Sequence, residues 1–115
     1  MTLREQQSIF VFLVANLINY ARAQGYELTW GETYRSPEEA KRLADAGLGS
    51  ALSLHPLRLA VDLNLFIDGE YQTSTEAYQQ LGEWWEQQHL LARWGGRFSK
   101  RPDGNHFSLE YHGRA

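Results

Sequence analysis

The chain has 115 residues, 43% hydrophobic and 22% charged, with four Trp, six Tyr and no Cys. That is one domain's worth of chain with an ordinary soluble composition. The formal charge of -3 argues against non-specific nucleic-acid binding, which needs a basic surface, and the missing Cys rules out disulfides, thiolate metal sites and a Cys nucleophile. Any metal must be held by His, Asp and Glu.

The first predicted element is a helix from Leu3 to Gln24. Phe10, Leu13, Val14, Leu17, Ile18 and Ala21 recur at helical spacing as one broad apolar face, and Gly25 stops it. "SIFVFLVANLI" with Ala21-Arg22-Ala23 loosely mimics a secretory leader. Glu5 sits in the would-be positive region, Asn16 and Asn19 interrupt the apolar run, and the run is too short to span a bilayer. A buried first helix is the better reading, with no leader and no membrane span.

A strand is expected from Tyr26 to about Trp30, followed by a loop. "SPEEAKRLADAG" marks a second helix, with Ser36 as cap, Pro37 in the first position, Glu39 completing a capping box and Gly47 as the stop. "LRLAVDLNLFIDGEYQ" reads as a hairpin turning at Asp68-Gly69. A third helix is expected from Ser74 to His89, capped by Thr73 with Glu76 three residues on. "ARWGGRFSKRPDGN" reads as a loop, and "HFSLEY" as a last strand. The order helix, strand, helix, hairpin, helix, strand predicts an α+β fold, about three helices packed on a small antiparallel sheet, with residues 1–115 as a single domain.

Alternation along the hairpin sorts its side chains. If Leu59, Val61, Leu63 and Leu65 face the core, Ala60, Asp62 and Asn64 face the other way. His55 lies just before this strand, held by Pro56. In the last strand Phe107, Leu109 and Tyr111 alternate with His106, Ser108 and Glu110. If the two strands are neighbours, His55, Asp62 and His106 converge. Two imidazoles and one carboxylate form a three-ligand set for Zn²⁺ with one position left for water, whose pKa the metal lowers to around 7. A general base is then needed nearby. Asp103, three residues before His106 in "RPDGNH", is the best candidate. A single His-Asp pair is more often structural, and His106, Glu110 and His112 form a rival cluster. His89, at a helix end, reads as a dipole contact.

At this point the sequence resembles a known family. "SLHPLRLAVDL" is similar to the Ser-x-His-x-x-Gly-x-Ala-x-Asp signature of the D-Ala-D-Ala zinc peptidases, which include VanY-type carboxypeptidases, VanX-type dipeptidases and phage L-alanyl-D-glutamate endolysins. "WGGRFSKRPDGNHFSL" resembles the second signature, a Trp-Gly-Gly region followed by Asp/Glu-x-x-His. "GETYRSPEEA" resembles the upstream segment that carries a substrate-site arginine. The matches come in the family's order over about residues 26 to 110.

The resemblance implies a VanY/VanX-like, hedgehog-type zinc peptidase fold with Zn²⁺ held by His55, Asp62 and His106. Asp103 would be general base and then acid. Arg35 would contact substrate and help stabilise the oxyanion. Ser53 would be a secondary substrate contact, or a loop hydroxyl bonded to backbone. The family's usual Gly is Arg58 here, so either the backbone tolerates a side chain or the loop differs. Arg58 could pair with a substrate carboxylate or with a surface acid, and the surface pair is the expected one. Glu32 is placed to bond Arg35 or the loop around the metal. Trp94, Gly95 and Gly96 would shape the cleft wall, or supply core packing and a turn.

The implied activity is hydrolysis of peptidoglycan stem peptides, with L-alanyl-D-glutamate endopeptidase first and D-Ala-D-Ala carboxypeptidase second. A non-catalytic wall-binding or virion module with a structural metal is the rival from another class. An endolysin would be a monomer without nucleic-acid or stable membrane partners. It would accumulate in the host bacterial cytoplasm before lysis and reach the wall in the periplasm with the help of a holin. Activity should fall below about pH 5 to 6, because both imidazoles must be neutral to ligate.

Overall fold

A computed structural model describes residues 1–115. Helix α1 spans Leu3–Ala23. Thr2 caps it, and Glu5 closes a capping box by accepting from the Thr2 backbone N–H at 2.9 Å while its own N–H donates to the Thr2 hydroxyl at 3.1 Å. Glu5 is therefore a helix-start signal. The face carrying Phe10, Leu13, Val14, Leu17 and Ala21 is buried as expected. No helix is long and apolar enough to cross a membrane.

Strand β1 (Glu27–Trp30) and helix α2 (Pro37–Asp45) follow. The Ser36 hydroxyl accepts from the Glu39 N–H at 3.0 Å, but the expected reciprocal arm is missing. The Glu39 carboxylate is drawn to the Arg42 guanidinium one turn on. Strand β2 (Ala60–Ile67) turns back into the short β3 (Glu70–Tyr71) through Asp68 and Gly69, at φ 51° and 79°. Two successive positive φ values make the type I′ turn that Asp-Gly favours.

The third helix departs from expectation. Thr73 makes no cap; the Ser74 hydroxyl accepts from the Ala77 N–H at 3.3 Å. A 3₁₀ turn over Glu76–Tyr78 then leads into α3 (Gln79–Glu86), which stops before His89. Tyr78 explains the tight entry: its buried hydroxyl accepts from the Leu65 N–H and donates to the Gln72 carbonyl, both at 3.0 Å, pinning this turn to β2. The expected loop after α3 contains a strand, β4 (Ala92–Trp94), and a 3₁₀ turn at Gly95–Arg97 before β5 (His106–Leu109).

The sheet is antiparallel in the order β1-β2-β5-β4, with β3 beside the end of β2. Helices α1 and α3 pack on it. Trp85 is the hinge of the core: its ring meets Phe10 edge-on at 5.8 Å and Phe107 at 6.0 Å, and its indole N–H donates to the Arg93 and Ser108 carbonyls. All four β5 residues are buried, so the face carrying His106 and Ser108 is covered as well. Ser108 is fully buried and its hydroxyl lacks a partner.

A candidate metal centre between two strands

The pairing of β2 with β5 sets Asp62 directly opposite His106. The Asp62 backbone N–H and C=O bond the other neighbour, the chain at Glu32 and Gly31. Asp62 and His106 are therefore a non-hydrogen-bonded pair, the closer kind, with their side chains on one face. A slip of one residue would send Asp62 into the core. His55 opens a 3₁₀ turn, His55–Leu57, ahead of β2. The Ser53 hydroxyl accepts from the His55 backbone N–H at 3.2 Å and holds that turn.

Around one carboxylate oxygen, Asp62 Oδ1, stand His55 Nε2 at 3.5 Å and His106 Nδ1 at 3.3 Å. The three donor atoms all lie within 4.8 Å of one another. His55 and His106 are only 3% and 6% exposed. The far nitrogens are both committed to main-chain oxygens: His55 Nδ1 lies 2.9 Å from the Thr33 oxygen and His106 Nε2 lies 3.1 Å from the Ala115 oxygen. A carbonyl can only accept, so those nitrogens carry the protons. The lone pairs of His55 Nε2 and His106 Nδ1 then point at Asp62. Backing of this kind is how metal-binding imidazoles are oriented. Asp62 Oδ1 is buried and has no hydrogen-bond donor, an expensive omission in a site without a cation. Two neutral imidazole nitrogens and a carboxylate oxygen fit Zn²⁺, and three ligands leave a position open.

Residues 46–109 match a family model described as D-alanyl-D-alanine carboxypeptidase. That stretch is more than half of the chain and contains His55, Asp62, Asp103 and His106. The chain belongs to this family. Membership makes it a peptidase of the peptidoglycan-directed kind, as the sequence resemblance implied. A comparison with curated proteins finds no match. Among solved structures, the crystal structure of the L-Ala D-Glu endopeptidase ChiX of Serratia marcescens is similar, with a TM-score of 0.73 and 21% identity over 90% of this chain and 79% of that one. That likeness carries the α+β fold.

In this family member Asp103 stands at the rim, 48% exposed, with Oδ2 4.0 Å from His106 Nδ1. Burial raises its pKa, the charge of Asp62 raises it further, and the pull of His106, His55 and Arg35 does not cancel the rise. Burial also works to raise Asp62, but His106 and His55, which in the metal-free site can turn charged and donate to it once protonated, win and hold it at about 2. For His55, burial lowers the pKa, and contacts with Asp62 and the Thr33 carbonyl outweigh that and raise it. One carboxyl is thus kept ionised in the donor set and its neighbour is made more basic, the separation expected of a ligand and a proton carrier.

Arg35 is paired with Glu32, as expected, and its charge is felt at Asp103. Ser53 is occupied by the turn at His55. Arg58 does not find a surface acid: its guanidinium lies 4.1 Å over the Tyr34 ring. Its backbone is left-handed, φ 56° and ψ 36°, the conformation a glycine would adopt there without strain. Trp94, Gly95 and Gly96 turn out to be packing and turn together. The Trp94 ring is buried, its N–H donates to the Gly104 carbonyl at 2.7 Å, and it leaves no room for a Cβ at Gly82 or Gly96.

The rival cluster is not assembled. Glu110 pairs with Arg93 at 3.2 Å, and His112 sits in a turn beside Tyr111. His89 accepts from the Leu91 N–H at 3.0 Å in a local turn. Sequence reasoning missed Thr33 and Ala115, which act through main-chain oxygens that no side-chain pattern announces.

Proposed function

We propose that the protein is a zinc-dependent hydrolase of peptidoglycan stem peptides, cutting the L-alanyl-D-glutamate bond as a phage endolysin. The observation that carries the zinc reading is the buried, donor-less Asp62 Oδ1 facing two imidazole lone pairs. His55 Nε2, Asp62 Oδ1 and His106 Nδ1 would hold the ion. Zinc in such a site supplies a Lewis acid for the scissile carbonyl and an attacking water of lowered pKa. Asp103, raised in pKa and reachable from solvent, takes a proton from the attacking water and hands it to the leaving amine. Arg35 offsets charge developing on the carbonyl oxygen. The Ser53 hydroxyl holds the turn that presents His55, and its own O–H remains a donor for a secondary substrate contact. As an endolysin, the protein would reach the wall from the host cytoplasm through a holin.

The endopeptidase assignment draws on the sequence resemblance and on the activity named for the similar Serratia marcescens structure. The family description favours a second reading, a D-Ala-D-Ala carboxypeptidase. That reaction needs a cation for the substrate's terminal carboxylate; Arg35, paired with Glu32 through Nε only, is placed to serve either reaction, so the products decide between them. A non-catalytic module has no use for a basic acid group beside the donor set.

The test is mass spectrometry of muropeptides after incubation with Gram-negative sacculi, with and without chelator. Chelator-sensitive release of free stem peptides, leaving a new L-Ala carboxyl on the glycan, is expected. Loss of only a terminal D-Ala would select the carboxypeptidase. No cleavage by a folded, zinc-loaded sample would select the binding module.

A further inference from the structure

We infer that the segment Tyr111–Ala115 is a buckle that positions the metal donors, with Arg114 fastening the loop ahead of His55 and the Ala115 main-chain oxygen fixing the His106 ring. This lies beyond residues 46–109 that the family model covers, and it rests on the zinc reading above.

The segment is built to double back. His112 and Gly113 have φ values of 48° and 77°. Tyr111 and Arg114 exchange both backbone hydrogen bonds, each at 2.9 Å. That is a closed two-residue turn of the hairpin kind, and His112 adopts a left-handed conformation that costs a non-glycine residue free energy. The strand leading into it is tied down by the Glu110 N–H, which donates to the Leu91 carbonyl at 2.7 Å, and by buried Gln6, whose side-chain amide donates to the Glu110 carbonyl at 2.7 Å. The turn thus hangs from a fixed point and has one course to follow.

That course brings two groups to the site. The Arg114 guanidinium donates through Nε to the Leu52 carbonyl at 3.1 Å and through Nη2 to the Ser53 carbonyl at 2.8 Å. It has no carboxylate partner; its charged fork is spent on two successive main-chain oxygens. The same Ser53 holds the His55 N–H through its hydroxyl, so a single residue links Arg114 to the first histidine. One residue further on, the Ala115 oxygen accepts from His106 Nε2. It does for His106 what Thr33 does for His55. Without it either nitrogen of His106 could carry the proton, and the Nδ1 lone pair would be present only part of the time.

A strap that merely stabilised the fold would act equally with and without metal. The buckle instead orders donors, so its removal should weaken metal binding by the 10- to 100-fold typical of lost outer-shell partners. The experiment titrates zinc into the metal-free wild type, Arg114→Ala, Arg114→Lys and a chain ended at His112, in competition with a chromophoric chelator. Thermal unfolding of each metal-free protein is recorded in parallel. We expect about 10-fold weaker zinc binding for Arg114→Ala, partial recovery with lysine, and a larger loss for the shortened chain, with the metal-free midpoints unchanged. Nitrogen-15 NMR of the His106 ring should show the Nε2–H form in wild type and a mixture in the shortened chain. Wild-type zinc affinity in the shortened chain would overturn the inference, and so would an affinity loss that only tracks a falling metal-free midpoint. A wild type that fails to bind zinc in the same titration would overturn the zinc reading itself.

Discussion

At Gly95 the preceding turn packs directly against the backbone that carries Asp103 and His106. The Gly95 carbonyl accepts from the Asp103 N–H at 2.9 Å and the Phe98 N–H at 3.1 Å. A Cβ added there would lie 2.2 Å from the Asp103 carbonyl oxygen and 2.7 Å from His106 Cβ. Cβ atoms do not approach heavy atoms within 3.0 Å, so Gly95→Ala must push the Asp103 carbonyl away by at least 3.0 - 2.2 = 0.8 Å. The displaced atoms are backbone and Cβ, which cannot rotate aside. Overpacking of this kind costs about 1–3 kcal/mol, and a displacement near 1 Å at a catalytic group costs about 100-fold in rate. Urea denaturation of the metal-free protein, zinc titration and initial rates on muropeptides measure the three consequences. Gly31→Ala is the comparison: its added Cβ would sit 3.0 Å from the Asp62 Cβ and carbonyl oxygen, at the contact limit, and a smaller loss in each assay is expected. A Gly95→Ala protein with wild-type stability and turnover would refute the close-approach argument.

Asp103→Asn should keep the fold and bind zinc as before while hydrolysis falls by about 10²–10⁴; undiminished turnover removes Asp103 from the mechanism. His106→Ala should lose zinc, and an unchanged metal content by plasma mass spectrometry would overturn the ligand assignment. In the metal-free protein, the depression of Asp62 from 3.8 to about 2 corresponds to about 2 kcal/mol of stability, fully present above pH 3.8 and lost as pH falls through 2. The raised His55 pKa contributes stability that is full below pH 6.5 and is lost as pH rises through its folded value. Metal-free stability should therefore peak between about pH 4 and 6.5, and zinc, which needs neutral imidazoles, should move the maximum upward; urea midpoints that climb from pH 5 to 8 without metal would contradict this. Arg58→Gly should change stability by less than about 1 kcal/mol, because relief of the left-handed backbone offsets loss of the contact with Tyr34; thermal unfolding showing a loss of several kcal/mol would point to a contact other than the Tyr34 ring.

Much of the site was legible because strands alternate. Leu59, Val61, Leu63 and Leu65 set the face of Asp62, and the same rule set His106, so their meeting required only that the strands pair. Capping chemistry was less dependable. Ser36 read correctly, but Glu39 had Arg42 within reach and Thr73 had Ser74 beside it, and local competition decided both. Strand β4 was invisible because three residues, one of them Arg93, make no pattern; it exists because β5 offers it an edge and Trp85 bonds its carbonyl. The supports at Thr33 and Ala115 are main-chain atoms, whose positions follow only from the finished chain path.

The placement of Asp62 and His106 on the paired strands β2 and β5, with His55 just ahead of β2, has a kinetic consequence. His55 and Asp62 are near each other in the chain, but His106 arrives only when β5 docks, a pairing of high sequence separation that forms slowly. An ion that needs all three donors gains its full affinity only in the completed sheet. It should slow unfolding strongly and leave the folding rate nearly untouched, the behaviour of contacts absent from the transition state. Such an ion would act as a latch on the native state, lengthening the lifetime of a small protein that has no disulfide to hold it closed.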